Sequence, residues 1–107
     1  MEQEEKDIRS QIRKFEDEID ESRLSYRKIE DEEQELEFHN ASFHQVIDRL
    51  MADEQDEEVY WRIQEALEKS NEDYKKGQLT IDELKCQETK RQSILNHQIE
   101  NCHMEWK

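Results

Sequence analysis

IRSQIRKFEDEIDESRLSYRKIEDEEQELEFHNASFHQVIDRL, residues 8–50, carries the periodicity that decides the fold. Ile8, Ile12, Phe15, Ile19, Ser22, Tyr26, Ile29, Glu33, Leu36, Asn40, Phe43, Ile47 and Leu50 follow at alternating steps of four and three. Ten of these thirteen positions are apolar, and the phase holds for six heptads. A repeat of 3.5 residues keeps one stripe of a helix turned toward a partner helix. The segment therefore reads as one long helix over about residues 4–51. Among its apolar residues, Leu24, Phe38, Ala41 and Val46 fall outside the stripe.

Beyond that stripe the chain is dominated by charge. Of its 107 residues 43% are charged and 32% hydrophobic, with one glycine and no proline. That is too little apolar material for a thick globular core and too few turn residues for a many-stranded sheet. Low hydrophobicity with high charge is also the composition of disorder, yet a disordered acidic chain has no reason to hold a heptad phase. Thirty Asp and Glu against sixteen Lys and Arg give a formal charge of −14. Such a balance argues against nucleic acid, whose phosphates call for clustered cations, and against an anionic membrane surface. No apolar run reaches the roughly 18–20 residues that span a bilayer. MEQEEKDIR at the start does not read as a signal peptide, so the expected location is the cytoplasm.

The seam stops at Ala52-Asp-Glu-Gln-Asp-Glu-Glu58 and resumes one position out of phase. The second series is Tyr60, Ile63, Leu67, Ser70, Tyr74, Gly77, Ile81, Leu84, Glu88, Arg91, Leu95, Ile99, Cys102 and Trp106. A phase break beside an acidic run reads as a turn near 52–57, with a second helix over about 58–105. The competing reading is one continuous helix with a stutter. Gly77, followed by Thr80 and Glu83 at capping-box spacing, marks a break or kink near 77–80, although the heptad phase crosses it unchanged.

With the turn there, residue i faces roughly residue 109 − i, and the polar interruptions of the two seams coincide. Ser22 falls opposite Gln87, Glu88 and Arg91, Glu33 opposite Lys75, Lys76 and Gly77, and Asn40 opposite Lys69 and Ser70. A lone charge buried in a seam costs several kcal/mol, so a match of Glu33 with Lys76 removes a penalty and sets the register. The expected fold is all-α: a single coiled-coil-like antiparallel helical hairpin over residues 1–107. Charge is divided unequally between its arms. Residues 1–58 hold 21 acids and 8 bases, and residues 59–107 hold 9 acids and 8 bases.

Chemistry is sparse. Thirty carboxylates guarantee many pairs at helical spacing, so pairing alone says nothing about acid–base catalysis, which needs a concave, desolvated setting. Glu100-x-x-His103 occurs once, whereas di-metal bundles repeat that motif on inward positions. His39 and His44 are five apart and His97 and His103 six, which does not set ligands on one helical face. Cys86 and Cys102, sixteen residues apart and about 24 Å along one helix, read as two free thiols. No phosphate-loop, dinucleotide or hydrolase motif is present, so neither enzyme activity nor a cofactor is expected. Interaction is the better prospect. Leu24, Phe38, Val46, Trp61 and Ile94 lie outside the seams as candidate partner-binding residues, and Ser22, Glu33, Asn40 and Lys76 are candidate registry residues. Trp106 is a further candidate aromatic anchor.

The charged N-terminal helix is followed by Asn40-Ala-Ser-Phe43, then Leu50-x-x-Asp53-x-x-Asp56, Tyr60-Trp61 and Ile63-Gln64, and a Lys/Glu-rich closing helix. In this the chain resembles the small helical accessory proteins encoded beside LXG-domain toxins of Gram-positive type VII secretion. The resemblance implies a bacterial targeting or chaperone protein that binds the helical LXG region of a toxin beside a second small helical protein. Export together with the cargo would go with that role. The chain departs from the related WXG100 proteins in having no Trp-x-Gly at the turn. The one Tyr-x-x-x-acid match, Tyr26 to Glu30, falls in mid-helix rather than after the second helix, so the chain corresponds to the partner without an export signal. Two other roles fit the residues: a homodimeric coiled-coil scaffold, and an acidic inhibitor of a basic protein.

A two-helix layer encloses no core, so its own packing stabilises so many ordered residues only marginally. Sedimentation of the purified chain at micromolar concentration is expected to show an oligomer or a partner-dependent fold. A stable, fully helical monomer would contradict this.

Overall fold

The computed structural model describes residues 2–106, with side chains to Glu105, so the side chain of Trp106 lies outside the described residues. Two helices account for nearly all of it: α1 is Glu2–Asp53 and α2 is Glu57–Trp106, and the chain is an all-α helical hairpin. No strand occurs among the described residues. The helices extend a residue or two past the bounds expected from periodicity, and the connection is only Glu54–Asp56.

Asp56 closes that connection by capping α2. Its carbonyl accepts from the Tyr60 N–H at 2.9 Å, and its Oδ1 accepts from the Glu58 N–H at 2.9 Å. The first is the opening i→i−4 bond of α2, and the second supplies one of the donors that a helix start leaves open, a cap worth about 1 kcal/mol. Glu54 Oε1 in turn accepts from the Asp56 N–H at 2.9 Å, and Glu57 and Glu58 lie where the helix dipole favours carboxylates.

The hairpin divides into two compact units, Met1–Ile29 with Glu83–Lys107, and Glu30–Asp82. In the first, Ile12, Ile19, Ile29, Leu95 and Cys102 are buried. In the second the buried apolar residues are Ile47 and Ile81, with Leu36, Phe43, Ile63, Leu67 and Tyr74 half-buried. Within each unit the arms run antiparallel. Ser22 meets Glu88 and Gln11 meets Cys102 in the first; Glu33 meets Gln78 and His44 meets Asn71 in the second.

Ser22 meets Glu88 as expected, whereas the partners of Gln11, Glu33 and His44 sit further along α2 than the 109 − i rule places them. The direction has a cause. Each Cα–Cβ bond tilts toward its own helix N-terminus, so in an antiparallel pair a side chain of α1 meets one that starts further along α2. The turn itself, centred at Gln55, falls within the expected span of 52–57.

The expected break near 77–80 does not occur. α2 passes through Gly77 as helix, with no positive φ there, and Thr80 Oγ1 donates back to the Lys76 carbonyl at 3.1 Å instead of capping a new helix. Gly77 serves a different purpose. A Cβ at this position would stand 3.0 Å from Leu36 Cδ2, so its absence lets the arms approach closely. Replacing Gly77 with Ala is expected to alter stability by less than about 1 kcal/mol, because the gain in helix propensity is offset by pressure on Leu36. Gly77→Leu is expected to lose about 1–3 kcal/mol by overpacking. Urea unfolding followed by circular dichroism distinguishes the two, and a helix break at Gly77 would leave both variants equally stable.

Candidate functional site

The seam residues come first, since they hold the surface in place. Ser22 is fully buried; its hydroxyl donates to Glu88 Oε2 at 2.6 Å and lies 3.3 Å from the Glu88 carbonyl oxygen. Arg91 extends this layer, 3.7 Å from Glu88 and 3.6 Å from Glu21. A charged acceptor makes the short hydroxyl contact strong, and a half-buried carboxylate that loses a donor carries a desolvation cost.

Glu33, in the second unit, accepts from Gln78 Nε2 at 2.7 Å. Lys76 is exposed, and Gln78 two residues further along reaches the carboxylate. The shift follows from the same lean of side chains that displaces the contacts of Gln11 and His44. Asn40 borders an open groove of about 310 Å³ lined by Leu36, Phe43, Ser70, Asp73 and Tyr74. Ser70 is thus its neighbour, while Lys69 is exposed. Asn40 Oδ1 is buried with no hydrogen-bond partner.

Two seam positions differ from the heptad reading. Leu50 is exposed, and Met51 faces inward with its sulfur 3.8 Å from Gln64 Nε2. Leu84 is likewise exposed, and Lys85 takes the inward place with Nζ 5.9 Å from the centre of the Tyr26 ring. A straight helix of 3.6 residues per turn drifts about 20° per heptad against a 3.5 repeat, which is enough to exchange neighbours at a seam. A step of four from Ile47 to Met51 shows this drift directly.

The residues singled out for partner binding all lie on the surface. Leu24, Phe38, Val46, Trp61 and Ile94 are each more than half exposed, from 53% at Val46 to 68% at Phe38. Leu24 and Ile94 belong to the first unit, and Phe38, Val46 and Trp61 to the second. Phe38 packs edge-on against His39 and Trp61 edge-on against Tyr60, with ring centres 6.0 and 5.8 Å apart. Leu79, which the periodicity also leaves outside the seams, is exposed, and so are Leu50, Val59 and Met104, which it did not single out. Val59 and Leu79 were legible as off-seam apolar residues, but Leu50 carried no such signal because it occupies a seam position.

Cys86 is exposed and Cys102 buried, both as free thiols, with Cys102 Sγ 3.9 Å from Gln11 Oε1. Glu100 lies 4.0 Å from His97, and His103 is exposed. Among the described residues no group of three or more His, Cys, Asp and Glu side chains is gathered to hold a metal ion. No helix among them is long and apolar enough to cross a membrane. Compared with protein-family models, curated proteins and solved structures, the chain matches none.

Ser22→Ala is expected to lower stability by about 1–2 kcal/mol, since it removes the donor that Glu88 holds inside the seam. Glu88→Gln, which keeps an acceptor oxygen in place, is expected to lose less than half as much. Chemical denaturation of both variants tests the layer, and equal losses would show that Ser22 matters only for its size.

Proposed function

We propose that the chain is a non-enzymatic helical adaptor that binds the helical LXG region of a type VII secretion toxin and helps target it for export. A second small helical protein completes the complex. The resemblance noted above motivates the choice of partner, and the exposed apolar side chains carry the argument for binding. Phe38, Val46 and Trp61 in one unit and Leu24 and Ile94 in the other stand on faces that the hairpin leaves uncovered. Large apolar residues in that number on a chain with so few buried ones are what an adaptor presents to a helical cargo. The segments that carry the resemblance also fall on accessible structure. Asn40 and Phe43 border a groove, Asp53 ends α1, Asp56 caps α2, and Tyr60-Trp61 opens the following helix.

A homodimeric scaffold is the alternative, and it would cover the same residues with a second copy. Co-expression with the LXG region of a type VII secretion toxin separates the two. The adaptor reading expects both to elute together in size exclusion, with Phe38→Asp lowering recovery of the toxin region about tenfold or more at unchanged helicity. A compact homodimer that buries Phe38 and Trp61 and ignores the LXG region would overturn it.

A further inference from the structure

The second unit is the poorer in core and the richer in exposed apolar surface. Two of its apolar side chains are buried, while Phe38, Val46, Leu50, Val59, Tyr60, Trp61 and Leu79 are exposed. Five of these belong to the segments on either side of the Glu54–Asp56 turn: Val46 and Leu50 at the end of α1, and Val59, Tyr60 and Trp61 at the start of α2. Leu50 is there because Met51 takes its place in the seam. Tyr60 likewise stays out of the seam that its phase would give it and stands against the edge of Trp61.

The surroundings of these residues are strongly acidic. Residues 46–62 contain Asp48, Asp53, Glu54, Asp56, Glu57 and Glu58 against Arg49 and Arg62, and Arg62 is engaged with Glu58 at 3.0 Å. The turn end thus combines apolar side chains with a nearly uniform negative rim.

From this we infer that the turn end of the Glu30–Asp82 unit is a docking surface for an amphipathic helix whose apolar stripe is flanked by Lys and Arg. The inference rests on the adaptor reading and names the surface used and the chemistry of the segment that it takes. Charge complementarity selects this occupant. A second copy docked turn to turn would bring two acidic rims together, and like charges across an interface cost affinity. The near-neutral arm offers no net positive charge either, since residues 59–107 hold nine acids against eight bases. A basic helix gains on both counts. Its leucines cover Leu50 and Trp61, and its cations face carboxylates that no base of the segment balances. Burial of one large apolar side chain is worth about 1.5–3 kcal/mol, which corresponds to about tenfold or more in affinity.

Three fluorescein-labelled synthetic peptides of eighteen residues test the surface by anisotropy on the full chain. One carries a helical leucine stripe flanked by lysines, the second the same stripe flanked by glutamates, and the third the lysine composition with the leucines scattered around the helix. Binding of the first at micromolar concentration is expected, weakening as salt rises from low to physiological strength. The second and third are expected to bind at least tenfold more weakly. The double variant L50S/W61S should lose the first peptide at least tenfold, while L24S/I94S, altered only in the other unit, should retain it. Circular dichroism confirms that both variants remain helical. Equal binding of the scattered peptide, equal binding of the glutamate peptide, or no loss in L50S/W61S overturns the inference. So does a homodimer that excludes the peptide. Co-elution with the LXG region is read separately. If that complex forms and survives L50S/W61S while no peptide binds, the adaptor reading stands and this surface falls.

Discussion

Everything in this hairpin follows from the fact that a helix has one stripe to bury and two helices can bury only against each other. An α-helix in a globular domain is covered on more than one side by further layers. Here each unit draws its core from the contact between its own stretches of α1 and α2, with Ile12, Ile19, Ile29, Leu95 and Cys102 buried in one and Ile47 and Ile81 in the other. The remaining faces meet water, which is why they carry the charge that dominates the composition. Ion pairs on those faces, such as Arg9 with Glu5 and Arg62 with Glu58 at 3.0 Å, add only tenths of a kcal/mol each. Cohesion therefore depends on how well the single seam is filled.

That dependence explains the polar layers. In a core so thin, an unmatched polar group has nowhere to turn, and a register error would leave several. Ser22 with Glu88 and Glu33 with Gln78 make one alignment of the arms cheaper than its neighbours. Gly77 works to the same end by a different route, since only the Leu36 level of α1 fits against the flat spot it leaves. Polar pairing and close approach thus specify register, and apolar area supplies the attraction.

How much of this could be read in advance varied residue by residue. Ile12, Ile19, Ile29 and Ile47 were legible as core because they are β-branched or large at positions where the heptad phase is strongest. The helical class followed from the same phase, and so did the location of the turn within the acidic run. Leu50 and Leu84 were misplaced because the heptad count treats 3.5 residues as a turn, while a real helix drifts until Met51 and Lys85 point inward. Gly77 was ambiguous for another reason. Glycine marks a helix end or a close contact equally well, and only the position of Leu36 decides which. The surface residues Leu24, Phe38, Val46, Trp61 and Ile94 were visible as apolar residues off the seam, but their division between two units was not.

By itself the sequence determined the class of the fold, the length of its helices to within a few residues, and the identity of most buried side chains. These depend on periodicity, which is a local property of the chain. Register, the continuity of α2 through Gly77, the contact of Gln78 with Glu33, and the outward turn of Leu50 were decided only by the tertiary structure. Each depends on how side chains lean and how two helices approach, and a difference of one or two residues along the partner helix is invisible to a pattern that repeats every seven.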